Sequence, residues 1–66
     1  MRVFVNGEQR QFPEGSTVAD VLATSVEDVK GIAVALNGEV VRRGRWSEVV
    51  VTDGAKVEIL TAVQGG

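Results

Sequence analysis

Apolar and polar residues alternate through Arg2-Val3-Phe4-Val5, and after Asn6-Gly7 a second extended run follows, Glu8-Gln9-Arg10-Gln11-Phe12. Asn-Gly suits the positive φ angles of a two-residue corner, so the chain is predicted to open with a β-hairpin. Pro13 and Gly15 break the second strand, and from Thr17 the apolar spacing changes. Val18, Val21 and Leu22 form one stripe at helical period, with Thr17 placed to cap the helix and Asp20 to reach back in a capping box. Val26 or Val29 extends the stripe, but Ser25 to Lys30 is acidic and Gly31 follows, which predicts a helix end or a loop there.

Strand signals then return. Ile32-Ala33-Val34-Ala35-Leu36 reads as a strand, Asn37-Gly38 as a second corner, and Glu39-Val40-Val41-Arg42 as a short return strand. Arg43-Gly44-Arg45-Trp46 is irregular, Val49-Val50-Val51 is short and β-prone, and Asp53-Gly54 turns the chain into a last strand from Lys56 to Val63. Hairpin, helix, hairpin and final strand define the α+β class: a mixed sheet of four to five strands with one main helix across one face. A single domain over residues 1–66 is expected, with residues 64–66 as a flexible tail. If the last strand pairs parallel to the first, between the two hairpins, the arrangement is a β-grasp.

Strand alternation assigns the faces. Val3, Val5, Ile32, Val34, Leu36, Val57, Ile59 and, at the end, Val63 have the parity to meet Val18, Val21 and Leu22, and so form the expected core. The opposite parity puts Phe4, Ala33, Ala35, Leu60 and Ala62 on the open face, where a half-buried sheet ordinarily carries polar residues. That strip is either a partner-docking patch beside the tail or an unremarkable set of small surface residues.

Composition narrows the chemistry. The apolar fraction of 44% excludes simple disorder, and 66 residues allow one small core that buries about 60% of the unfolded surface. With no Cys and no His there is no disulfide, no zinc cluster, and no nucleophile–base pair of the kind a hydrolase or transferase uses. The carboxylates are scattered singly, and the glycines sit at turns rather than in a phosphate-binding loop. A formal charge of −2 makes nucleic acid a poor partner, although Arg42, Arg43 and Arg45 cluster locally, as a solvated loop or a site for an acidic group. Trp46 reads as a core-edge residue or, if partly exposed beside those arginines, as an interface anchor. The apolar runs are too short to cross a bilayer and Met1 leads directly into a strand pattern, so a cytoplasmic protein with no membrane partner is expected.

One feature remains with distinctive chemistry, the Gly65-Gly66 end that follows Gln64. Two residues without side chains make a thin segment that can enter a narrow channel and present a carboxylate without hindrance. Such a carboxylate can attack the α-phosphate of ATP, and a sulfur donor can then displace AMP to leave a thiocarboxylate. The enzyme groups for these steps must come from partners.

Several stretches resemble the ThiS family, the sulfur carriers of thiamine thiazole biosynthesis within the ubiquitin-like β-grasp proteins. They are Val3-Phe4-Val5-Asn6-Gly7, Gly15-Ser16-Thr17-Val18, Ala35-Leu36-Asn37-Gly38, Val41-Arg42-Arg43-Gly44-Arg45-Trp46, and Asp53 to Ile59 leading to the terminal glycines. Arg42 stands where that family commonly has Pro. The resemblance implies a cosubstrate rather than an enzyme, with no bound cofactor. An E1-like adenylyltransferase would consume ATP to activate Gly66, a cysteine desulfurase or other donor would supply sulfur, and thiazole synthase would accept it. On this reading Gly65 and Gln64 complete the tail, and Phe4, Leu60, Ala62, Arg43 and Trp46 contribute to docking. Sulfur carriers of molybdopterin, cysteine or tRNA-thiolation pathways share the architecture. A ubiquitin-like modifier and a plain binding module are the rivals from other classes.

Overall fold

Both Asn-Gly pairs sit at hairpin corners in the computed structural model, which describes residues 1–61: Asn6 and Asn37 have φ of 50°, followed by Gly7 at 83° and Gly38 at 87°. The first corner joins β1 (Arg2–Val5) to β2 (Glu8–Gln11), and the second joins β3 (Ile32–Leu36) to β4 (Glu39–Val41). Between the hairpins lies α1 (Val18–Ser25), and the last strand is β5 (Ala55–Thr61). The five strands lie in the order β2-β1-β5-β3-β4, with β5 parallel to β1 and antiparallel to β3. This is the β-grasp order that the strand pattern allowed.

The α1 start satisfies every backbone donor that a helix leaves open at its first turn. Thr17 Oγ1 accepts from Asp20 N at 3.2 Å, and Asp20 Oδ2 accepts from Thr17 N at 2.8 Å, closing the predicted capping box. The two remaining donors use a segment distant in sequence: Val18 N donates to Val49 O at 2.9 Å and Ala19 N to Trp46 O at 3.0 Å. Residues 49–51 therefore do not form the short strand their β-branched run suggests. Their backbone caps the helix instead, with one bridge from Val50 to Thr17 and a 2.9 Å bond from Val51 N to Ser16 O. At the other end, Val26 turns extended (φ −136°) and the helix stops at Ser25, as the acidic stretch implied, while the Val26 side chain still packs against the core.

Val3, Val5, Val34, Val57 and Ile59 meet Val18, Val21 and Leu22 in the core, as parity required. Ile32 and Leu36, expected in the same set, are half-buried because they end β3 beyond the cover of the short helix. Four further residues complete the core: Phe12, Trp46, Val51 and Ala55. Phe12 lies just past β2 rather than in it, where a pair of backbone bonds with Met1 (3.0 and 2.8 Å) turns it inward.

After Val41 the chain enters a 3₁₀ turn over Arg43–Arg45, preceded by Arg42 at φ −64°, ψ 146°. Proline has almost the same φ. In β4 the corner makes Leu36–Glu39 and Val34–Val41 the bonded pairs, so the Arg42 N–H points out from the sheet edge. Arg42→Pro is accordingly expected to leave the fold intact and raise stability by about 0.4–1 kcal/mol through the unfolded chain, seen as a small rise in Tm. A fall in Tm would mean that this N–H has a partner in solution.

Candidate docking face and tail

Exposure alternates along β5: Ala55, Val57 and Ile59 are buried, while Lys56, Glu58 and Leu60 face outward. Leu60 is 67% exposed opposite Ala33, and the neighbouring pair, Ala35 with Val40, adds a second large apolar side chain at 78% exposure. These four residues make a contiguous apolar cluster on the face away from α1. Val40 was not among the residues expected there, because Glu39-Val40-Val41 shows no alternation. The available signal was the corner at Asn37-Gly38, which fixes Ala35 opposite Val40.

Phe4 is on the same face but apart from that cluster. It pairs with Lys56, four residues along β5 from Leu60, which at the usual strand rise is roughly 13 Å. Its half-buried ring lines a shallow depression of about 600 Å³ with Asn6, Gly7, Lys56, Val57 and Glu58. The open face thus carries two apolar contact points with a Lys and a Glu between them, rather than one continuous strip. Ala62 lies outside the described residues, as do Gln64, Gly65 and Gly66. Thr61, the last described residue, ends β5 beside Ile32.

The arginine turn realises the core-edge reading of Trp46 and not the exposed anchor. Trp46 is 7% exposed, and its Nε1 donates to Val41 O at 2.9 Å, so the ring belongs to the core and closes the end of β4 rather than offering a free surface. The turn packs the indole inward because its N–H finds a carbonyl there that would otherwise be left without a partner. Arg43 lies over this ring, 5.3 Å from its centroid, and its Nη2 donates to Val29 O at 2.7 Å. Arg43 is exposed, yet it ties the loop after α1 to the Trp46 ring. Arg45 pairs with Glu48 at 3.3 Å.

Charged groups on and beside the sheet are exposed, and two pairs of them meet at the surface: Arg2 with Asp53 at 3.6 Å and Arg10 with Glu8 at 3.0 Å. Asp53 accepts the Arg2 backbone N–H at 2.7 Å, and this bond holds its carboxyl below the usual value. Among the described residues no group of three or more His, Cys, Asp or Glu could hold a metal ion, and no helix is long and apolar enough to cross a membrane. What the described arrangement offers is a central strand with side chains exposed on one face, described as far as Thr61.

Asn6 and Asn37, read in the sequence only as corner residues, also have tertiary roles. Asn6 Oδ1 accepts from Ile59 N at 2.8 Å and its Nδ2 donates to Ile59 O at 3.3 Å, while Asn37 Oδ1 accepts from Lys56 N at 2.9 Å. No local pattern announces such contacts, since the partners are 53 and 19 residues away.

Because Leu60 is exposed and makes no core contact, Leu60→Glu should weaken partner binding about tenfold or more while shifting Tm by only a few degrees. Titration against a candidate partner, with a thermal melt alongside, checks both halves. A collapsed melt would place Leu60 in the core.

Comparison with known proteins gives a consistent answer. The family model described as "ThiS family" matches residues 3–66. A sulfur carrier protein ThiS from Thermus thermophilus is 38% identical over 64 residues, covering 97% of this chain and 98% of that protein. A thiazole synthase from Paramagnetospirillum magneticum is 36% identical over the whole chain, which spans only 20% of that protein's length. Among solved structures, the crystal structure of a thiamine biosynthesis protein (ThiS) from Geobacter metallireducens superposes with a TM-score of 0.85 at 35% identity, each chain covered in full.

Proposed function

The chain belongs to the ThiS family, whose matched members are sulfur carriers of thiamine biosynthesis, and from that premise we propose that it carries sulfur as a thiocarboxylate on Gly66. The observation that supports this most directly is the extent of the family match, which runs through Gly65-Gly66. In the proposed cycle a Gly66 carboxylate oxygen attacks the α-phosphate of ATP on an E1-like adenylyltransferase, and pyrophosphate leaves. A persulfide from a cysteine desulfurase then attacks the acyl carbon, AMP departs with the electron pair of the broken C–O bond, and a second thiol reduces the resulting acyl disulfide to the thiocarboxylate, itself leaving as a disulfide; a donor of free sulfide gives the thiocarboxylate in one displacement. The thiocarboxylate sulfur is softer and more nucleophilic toward carbon than the oxygen it replaced.

The acceptor we propose is thiazole synthase. A thiazole synthase that contains a segment like the whole of this chain favours that acceptor over those of the other sulfur-carrier pathways. The chain acts as a cosubstrate: activating groups and ATP belong to the partner, and the carrier contributes a docking face and a tail. Phe4, Leu60 and Ala62 are the proposed contacts, with Arg43 and Trp46 acting through the shape of the turn they hold. The cytoplasm, where ATP and reduced sulfur donors are found, is the proposed setting.

Intact-mass measurement tests this reading. After incubation with ATP, an E1-like partner and a sulfur source, the mass should rise by the exchange of one oxygen for one sulfur, in the peptide ending at Gly66 and only with ATP. An unmodified terminus, with the same partner active on another carrier, would remove the sulfur-carrier reading and leave a binding module.

A further inference from the structure

We propose that Asn6 is a positioning residue for the tail: its side-chain amide holds the far half of β5 at Ile59 on the side away from β3, and so helps fix the point from which the reactive end departs. β1 reaches only as far as the pairing of Val5 with Val57, whereas β5 continues for four more residues to Thr61. On its β1 side, therefore, the end of β5 has no strand beside it. Asn6 fills the first position of that gap. Its backbone N–H donates to Val57 O at 2.9 Å, and its amide then accepts from Ile59 N and donates to Ile59 O at 2.8 and 3.3 Å. A primary amide has the donor and acceptor of a peptide group, so the side chain adds the rung that a longer β1 would supply. The positive φ of the corner, 50°, turns the side chain back along β5. Asparagine is one of the few residues with a side chain that tolerates this region.

Asn37 provides an internal comparison. It has the same φ, the same following glycine, and its own bonds to β5: its backbone N–H donates to Lys56 O at 2.8 Å and its Oδ1 accepts from Lys56 N at 2.9 Å. Lys56 lies at the start of β5 and Ile59 near its end, so equivalent residues hold opposite ends of one strand. Only the Asn6 contact lies next to the exit. From Ile59 to Gly66 the chain has seven further residues, and each that is freed from the sheet widens the volume the terminus explores. A carrier whose last strand frays must recover that order when the tail enters a partner, which lowers the rate of productive encounters.

This inference rests on the carrier reading, and glycine substitutions separate the two. Asn6→Gly and Asn37→Gly each keep the positive φ and remove one amide, so both should lower Tm to a similar extent. In Asn6→Gly, amide hydrogen exchange at Ile59 should speed up while exchange at Val3 keeps pace with global opening. Its kcat/KM as the substrate of an E1-like adenylyltransferase should fall about three- to tenfold, with Asn37→Gly within about twofold of wild type. Equal losses in the two variants, or unchanged exchange at Ile59, would overturn the positioning role and leave Asn6 a corner residue. A wild-type chain that accepts no adenylate from an active partner would overturn the carrier reading itself, and the positioning role with it.

Discussion

Removing Gly65 and Gly66 is expected to abolish sulfur loading, to below about a thousandth of the full-length rate, while leaving Tm unchanged. The first half follows from the chemistry available in the chain. Without Cys or His, and with its side-chain carboxylates exposed on the surface, the protein has no other group as well placed to be activated as a sulfur-bearing electrophile or nucleophile. A truncated chain still ends in a carboxylate, but that of Gln64, whose Cβ and long side chain crowd the group that the glycines leave bare. The second half follows from the sheet. The described pairings of β5 run to Thr61, opposite Ile32, and the cut removes no residue of them and no part of the described core. Intact mass after reaction with ATP and a sulfur source reads the first effect, and a thermal melt the second. Normal loading of the truncated chain would show that sulfur is carried elsewhere, and would also remove the case for Asn6.

The fold was legible in the sequence wherever local chemistry and the global arrangement agree. Asn-Gly at 6–7 and 37–38, the Thr17–Asp20 box and the period of Val18, Val21 and Leu22 each have one local solution, and each occurs. Strand parity then gave five of the seven expected strand positions of the described core as buried residues. What parity could not give was the contribution of irregular segments. Phe12, Trp46 and Val51 are buried because loops fold back over the helix start, and no period exists in those stretches to reveal it. The docking face shows the same limit. Leu60 and Ala33 were placed by alternation, but Val40 needed the register of a hairpin and the gap between Phe4 and Leu60 needed the register of β1 on β5. The proposed terminal chemistry rests on residue types alone and depends on no such register.

Trp46→Ala should be the most damaging single change to the fold, costing about 3–5 kcal/mol. The chain has a total stability of roughly 3–10 kcal/mol at the usual yield per residue, so the loss takes most or all of it. Three contributions converge on this ring. Its removal opens a cavity in a core of twelve side chains, too small to close over the space without moving β4 or the helix start. It also leaves Val41 O without the indole N–H that satisfies it at 2.9 Å, and takes away the surface under Arg43, whose other bond holds the loop at Val29. The backbone carbonyl of the same residue accepts from Ala19 N, so disorder in the turn reaches the helix cap as well. Circular dichroism is the right observable, since the substitution removes the chain's single Trp and with it the fluorescence signal. A Tm lower by at least about 12 °C, or no cooperative transition at all, is the expected result. Trp46→Phe keeps most of the volume and loses only the N–H, and should fall between that variant and wild type. If both variants melt like wild type, the ring is a surface anchor after all, and its place is on the docking face with Leu60.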